Sequence, residues 1–140
     1  MTTSGPASGR TGKPKVLIVD DDTALCDTWQ RILALSGYDA ISVHDGNEVM
    51  ATARAYQPDV VVLDVKLPGI DGITLCGMLK ADPATSRLKV LLCSGHVDVD
   101  LERARGIADS VARKPVPPGL LLASLSVLTS LAVHEGVPAR

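Results

Sequence analysis

The 140-residue sequence predicts an α/β fold built on a parallel sheet, and three observations carry that prediction. Short apolar runs rich in Val, Ile and Leu alternate with amphipathic segments of helical period, the pattern of successive βα units. One run, Val60-Val61-Val62-Leu63, is apolar at every position, as suits a strand covered on both faces. Polar residues capable of chemistry follow directly after several of the runs: Asp20 and Asp21, Asp64, Ser94 and Lys114.

Val16-Leu17-Ile18-Val19 reads as the first strand. Leu25, Trp29, Ile32 and Leu33 then share one helical face, and Gly37 stops that helix. A second strand over residues 40–43 is short and contains Ser42, which suits an edge. Asp45-Gly46-Asn47 turns the chain into a second helix with Val49, Met50, Ala53 and Tyr56 facing inward. The third strand, 60–63, is central. After a Pro68-Gly69 turn come a third helix over roughly 73–80 and a fourth strand at 90–93. The charged segment from 98 to about 107 is expected to be the fourth helix, and 110–113 the fifth strand. Pro115, Pro117, Pro118 and Gly119 precede a last helix over 120–133.

With 46% apolar and 21% charged residues, the chain has the composition of a folded soluble protein, not a disordered one. Its length suits one domain with a single core. A net charge of −2 offers no general attraction to phosphate backbones or anionic lipid, so neither a nucleic acid nor a membrane is expected as a direct partner. Residues 115–133 carry no charge, but the prolines leave only 120–133 for a helix. At ~1.5 Å per residue that helix falls well short of a ~30 Å bilayer core, so it should be buried or face a partner. Cys26, Cys76 and Cys93 show no metal-binding spacing and read as reduced core thiols of a cytoplasmic protein. Residues 1–14, rich in Gly, Ser, Thr and Pro and without an apolar stretch, read as a flexible tail and not a signal peptide. The folded domain is expected over 15–133, with a short tail at 134–140.

In open parallel α/β sheets, ligands collect beyond the carboxyl ends of the strands. That rim should receive Asp20, Asp21, Asp64, Ser94 and Lys114. Singly, each has a structural reading, as a helix cap or a turn residue. Together they are harder to explain so. Two carboxylates ~4 Å apart repel by roughly 4 kcal/mol at an effective dielectric near 20, so a cluster of three calls for a cation. Oxygen ligands without His or Cys point to a hard ion such as Mg²⁺, which pairs with phosphate. Phosphoryl transfer uses such a set: a metal, donors for the equatorial oxygens and an in-line nucleophile.

VLIVDDD (16–22), VVVLDVKLPGIDG (60–72), LLCSG (91–95) and ARKP (112–115) together resemble the response-regulator receiver domain, in order and spacing, over about residues 15–131. The resemblance implies a flavodoxin-like, doubly wound, five-stranded parallel sheet of order 2-1-3-4-5 with helices on both faces. It implies a phosphorylation-dependent switch of a two-component phosphorelay, a phosphoacceptor that catalyses its own phosphorylation and dephosphorylation and is not otherwise an enzyme. Asp64 would accept the phosphoryl group from a sensor histidine kinase or phosphotransfer protein. Asp21 and Asp64 would ligate Mg²⁺ directly, Asp20 through a water, and Lys66 through its backbone carbonyl. Lys114 would bind a phosphoryl oxygen, Ser94 would turn its hydroxyl toward the phosphate, and Gly95 would leave room for it. The Lys114-Pro115 bond would be cis.

The chain departs from the family at Val111, where an aromatic side chain is common, so a rotating ring cannot report the movement of Ser94 here. Lys66 and His96 stand where the family's hydrolytic water passes; they either obstruct it and lengthen the phosphoryl lifetime, or point into solvent with no effect. The last helix is apolar around more of its circumference than a core requires, so the fourth helix, fifth strand and fifth helix are expected to meet a downstream target or a second copy. The rival enzyme reading is a haloacid-dehalogenase-like phosphatase with Asp20 as nucleophile; it leaves Asp64 without a role.

Overall fold

The computed structural model describes residues 12–136, so the expected tails at 1–14 and 134–140 lie largely outside the described residues. Five parallel strands, β1 (Lys15–Val19), β2 (Asp39–Val43), β3 (Val60–Asp64), β4 (Lys89–Ser94) and β5 (Ser110–Arg113), form one sheet in the order β2-β1-β3-β4-β5. The expected strand order and the expected edge position of the second strand both hold.

Among the described residues four α-helices connect them in turn, α1 (Thr23–Leu35), α2 (Val49–Tyr56), α3 (Gly72–Ala81) and α4 (Val97–Ala104), and α5 (Pro118–Gly136) follows β5. Side chains alternate across a strand, and the core divides accordingly. Val16, Ile18, Val60, Val62, Leu91 and Cys93 pack with Cys26, Trp29 and Leu33 of α1 and Leu121, Leu125 and Leu128 of α5. Their neighbours Leu17, Val19, Val61, Leu63, Val90 and Leu92 face Val49 and Ala53 of α2, Ile73, Leu75, Cys76 and Leu79 of α3, and Ala104 of α4. Burying a Leu or Val side chain of this kind contributes about 1.5–3 kcal/mol, so this two-faced core holds the strand ends in a fixed register.

Three helix limits differ from expectation. The fourth helix was expected to reach about residue 107 but stops at Ala104, because Arg105 is extended and Gly106 takes a φ of 80°. The freed Ala104 carbonyl is recovered by the N–H groups of Ile107 and Ala108. The last helix begins at Pro118, before the expected residue 120, since proline suits the first helical position, where no N–H is needed. It also continues to Gly136, past the expected end at 133.

All three cysteines are free and buried. Burial, aided by the charges of Asp20 and Asp22, pushes the Cys26 thiol up to about 11, and burial drives Cys93 up to about 12. Among the described residues no helix is long and apolar enough to cross a membrane.

Candidate functional site

Strand register brings the predicted residues to one rim. Val19 lies level with Leu63 across β1 and β3, so Asp20 and Asp64 leave the sheet side by side. Asp64 is level with Cys93, and Ser94 with Arg113, which places Ser94 and Lys114 at the same edge. The Lys114 N–H donates to the Ser94 carbonyl at 2.9 Å, and the Lys114-Pro115 peptide bond is cis, as expected.

Asp20 and Asp64 are 3% and 6% exposed, which is unusual for carboxylates and leaves little water to screen them. Carboxylate oxygens of Asp20, Asp21 and Asp64 all lie within 4.8 Å of one another. Asp21 is the exposed member of the three. The Lys114 ammonium sits between the other two, donating at 3.1 Å to Asp20 Oδ2 and at 3.1 Å to Asp64 Oδ2. Backbone groups fix the remaining oxygens: the Asp22 N–H donates to Asp20 Oδ1 at 3.0 Å, and the Lys66 N–H to Asp64 Oδ1 at 3.3 Å. Asp22 itself caps α1 by accepting the Leu25 N–H, so it is turned away from this role.

Burial raises the Asp64 carboxyl above its ordinary value; the hydrogen bond from Lys114 opposes this, and the Asp20 charge adds to it. For Lys114, burial favours loss of the proton, but hydrogen bonds and charge from Asp64 and Asp20 more than reverse that. Its ammonium is therefore firmly held. One ammonium shared by two of the three carboxylates leaves a negative, all-oxygen cluster with Asp21 on its exposed side. That donor set fits a hard divalent ion such as Mg²⁺ and no soft metal.

Gly72 is what lets this pocket close beneath Asp64. Its N–H donates to the Val65 carbonyl at 2.7 Å, and a Cβ on it would overlap the Asp64 carbonyl oxygen and lie 2.8 Å from Val65 Cα. Gly72→Ala is therefore expected to lower stability by about 1–3 kcal/mol, as overpacking against rigid backbone does, with a lower midpoint in urea melts. An unchanged midpoint would contradict the close approach.

Ser94 occupies the expected position, but its hydroxyl donates to Asp100 Oδ2 at 2.6 Å and its oxygen accepts the His96 N–H at 2.8 Å. Nothing in the sequence marks Asp100: an acid in a charged helix reads as solvated surface, yet it is 7% exposed. Lys66 and His96 are both exposed, and Val111 is half-buried against the α2, α3 and α4 side of the core. A Cβ on Gly95 would meet nothing within 4 Å, so packing does not require glycine there.

Comparison with known proteins agrees with this geometry. The family model of the response regulator receiver domain matches residues 16–126. The DNA-binding response regulator MtrA of Mycolicibacterium smegmatis is 34% identical over 130 residues, covering 93% of this chain and 56% of that protein. The alkaline phosphatase synthesis transcriptional regulatory protein PhoP of Bacillus subtilis is 35% identical over 107 residues, covering 74% of this chain and 43% of its own length. The chain thus spans about half the length of these relatives. Among solved structures, a CheY-like receiver domain protein from Methanospirillum hungatei superposes with a TM-score of 0.79 at 28% identity, covering 89% of this chain and all of that one.

Proposed function

The chain belongs to the response regulator receiver domain family, the phosphorylation-dependent switches of two-component signalling, and from that premise we propose that Asp64 is its phosphoacceptor. The observation that carries this reading is the buried Asp64 carboxylate held at 3.1 Å by Lys114, with Asp20 and Asp21 beside it. Family membership leaves no place for the phosphatase reading with Asp20 as nucleophile.

In the proposed reaction an Asp64 carboxylate oxygen attacks the phosphorus of a phosphohistidine on a sensor histidine kinase or phosphotransfer protein. The new O–P bond forms as the P–N bond breaks, and the imidazole leaves with the electron pair and takes up a proton. Asp21 and Asp64, with the Lys66 backbone carbonyl and a water on Asp20, would hold Mg²⁺, which supplies neutralising charge for the phosphoryl oxygens. Lys114 binds a phosphoryl oxygen from the other side. The open space at Gly95 accommodates the group, and Ser94 turns toward it. Release of the phosphoryl group to water at the same site makes the domain a self-catalysed timer, one that acts on no other substrate.

Incubation with Mg²⁺ and phosphoimidazole, a small donor with the P–N bond of phosphohistidine, tests this by intact mass. One phosphoryl adduct is expected, lost when a chelator removes the metal. No adduct in the presence of metal would reject the reading.

The proposed output surface is formed by α4, β5 and α5. Leu120, Val127 and Leu131 form an exposed stripe at helical spacing on α5, beside the buried Leu121, Leu125 and Leu128, and Val99 and Leu101 of α4 are exposed as well. The charge balance still argues for a protein partner, a downstream target or a second copy in the cytoplasm, with no direct contact to nucleic acid or membrane. For the second copy, Val127→Asp should abolish any phosphorylation-induced dimer in sedimentation velocity; a dimer that survives it uses another face.

A further inference from the structure

The Ser94 hydroxyl carries one proton, and that proton is already committed. It goes to Asp100 Oδ2 across 2.6 Å, between two buried side chains. A hydroxyl donates once, so Ser94 cannot serve Asp100 and a phosphoryl oxygen on Asp64 together. The other oxygen of Asp100 faces Arg103 at 3.5 Å, and Arg103 also donates to Asp71 Oδ2 at 2.8 Å. Asp71 caps α3 through the Thr74 N–H, and the next residue, Gly72, packs against the backbone of Asp64. A continuous chain of polar contacts thus runs from Ser94 through α4 and back to the chain beside Asp64.

We propose that Asp100 is a positioning residue that holds Ser94 away from the phosphoryl group, so that phosphorylation of Asp64 requires the Ser94–Asp100 bond to break. This rests on the reading of Asp64 as phosphoacceptor. A buried carboxylate that loses its O–H donor is left poorly satisfied, so the bond biases the protein toward the unphosphorylated arrangement. A site whose competent arrangement is only partly populated binds more weakly in proportion. Weakening the bond should therefore tighten binding of any group that needs the Ser94 hydroxyl. Release of Asp100 would also loosen the Arg103 link to α3, which ties the step to α4 and gives a readout that needs no aromatic ring at Val111.

The test is calorimetric titration of the full chain with beryllium fluoride in the presence of Mg²⁺, a stable mimic of an aspartyl phosphate. Wild type is compared with Asp100→Asn, Asp100→Ala, Ser94→Ala and the two double variants. Asparagine keeps the shape but removes the charge, and a neutral hydrogen bond has about half the strength of a charge-assisted one. Binding should tighten about threefold in Asp100→Asn and about tenfold in Asp100→Ala, as release of a largely closed population predicts. In the Ser94→Ala background neither substitution should change affinity, since Asp100 acts through that hydroxyl. If Asp100→Ala fails to fold, Asp100→Asn decides. Equal or weaker binding in Asp100→Asn, or the same gain in both backgrounds, overturns the proposal while wild-type binding stands. Failure of wild type itself to bind would reject the phosphoacceptor reading, and this proposal with it.

Discussion

Replacing Asp64 by Asn is expected to lower phosphoryl uptake at least about 10³-fold, the scale on which loss of a nucleophile acts, with the fold retained. An amide matches the carboxylate in shape and can still accept the Lys66 N–H, but it lacks the anionic oxygen that attacks phosphorus and that accepts from Lys114. The variant should also be no less stable than wild type without metal. Burial and the neighbouring Asp20 already disfavour the charge on Asp64, so removing it relieves a cost. Intact mass after incubation with phosphoimidazole and a urea melt read the two effects separately. Loss of uptake together with collapse of the fold would show that Asp64 is a structural residue first.

Lys114→Ala should reduce the phosphorylation rate about 10²–10³-fold, the range seen when one donor to a developing negative charge is removed. Its ammonium holds Asp20 and Asp64 at 3.1 Å each, so the variant leaves two buried carboxylates facing one another. Those carboxylates should then bind Mg²⁺ more tightly, because a competing positive charge has gone. The two effects run in opposite directions, which a general disruption of the site would not produce. Single-turnover phosphorylation and calorimetric Mg²⁺ titration measure them; weaker Mg²⁺ binding in Lys114→Ala would contradict the assigned role.

Much of this site was legible in the sequence because the strands that carry it are unambiguous. β1, β3 and β4 are apolar runs, and Asp20, Asp64 and Ser94 stand at the point where each run ends. Once the runs are taken as parallel strands, the rim follows. The boundaries of α4 were less legible, since a charged segment offers no apolar stripe to count and its end is set by the backbone at Arg105 and Gly106. Asp100 was not legible at all. Its burial arises only when α4 folds over the end of β4, and its partner Ser94 lies on another element. The wide apolar surface of α5 was readable as a count of leucines, and the structure resolves it into a buried stripe and an exposed one.

The most direct test of the central claim is to find which carboxylate takes the phosphoryl group. Reduction of the phosphorylated protein with borohydride converts an aspartyl phosphate into homoserine, which peptide mass spectrometry then places in the chain. Homoserine is expected at position 64 and at no other aspartate. Homoserine at Asp20, with Asp64 untouched, would contradict it.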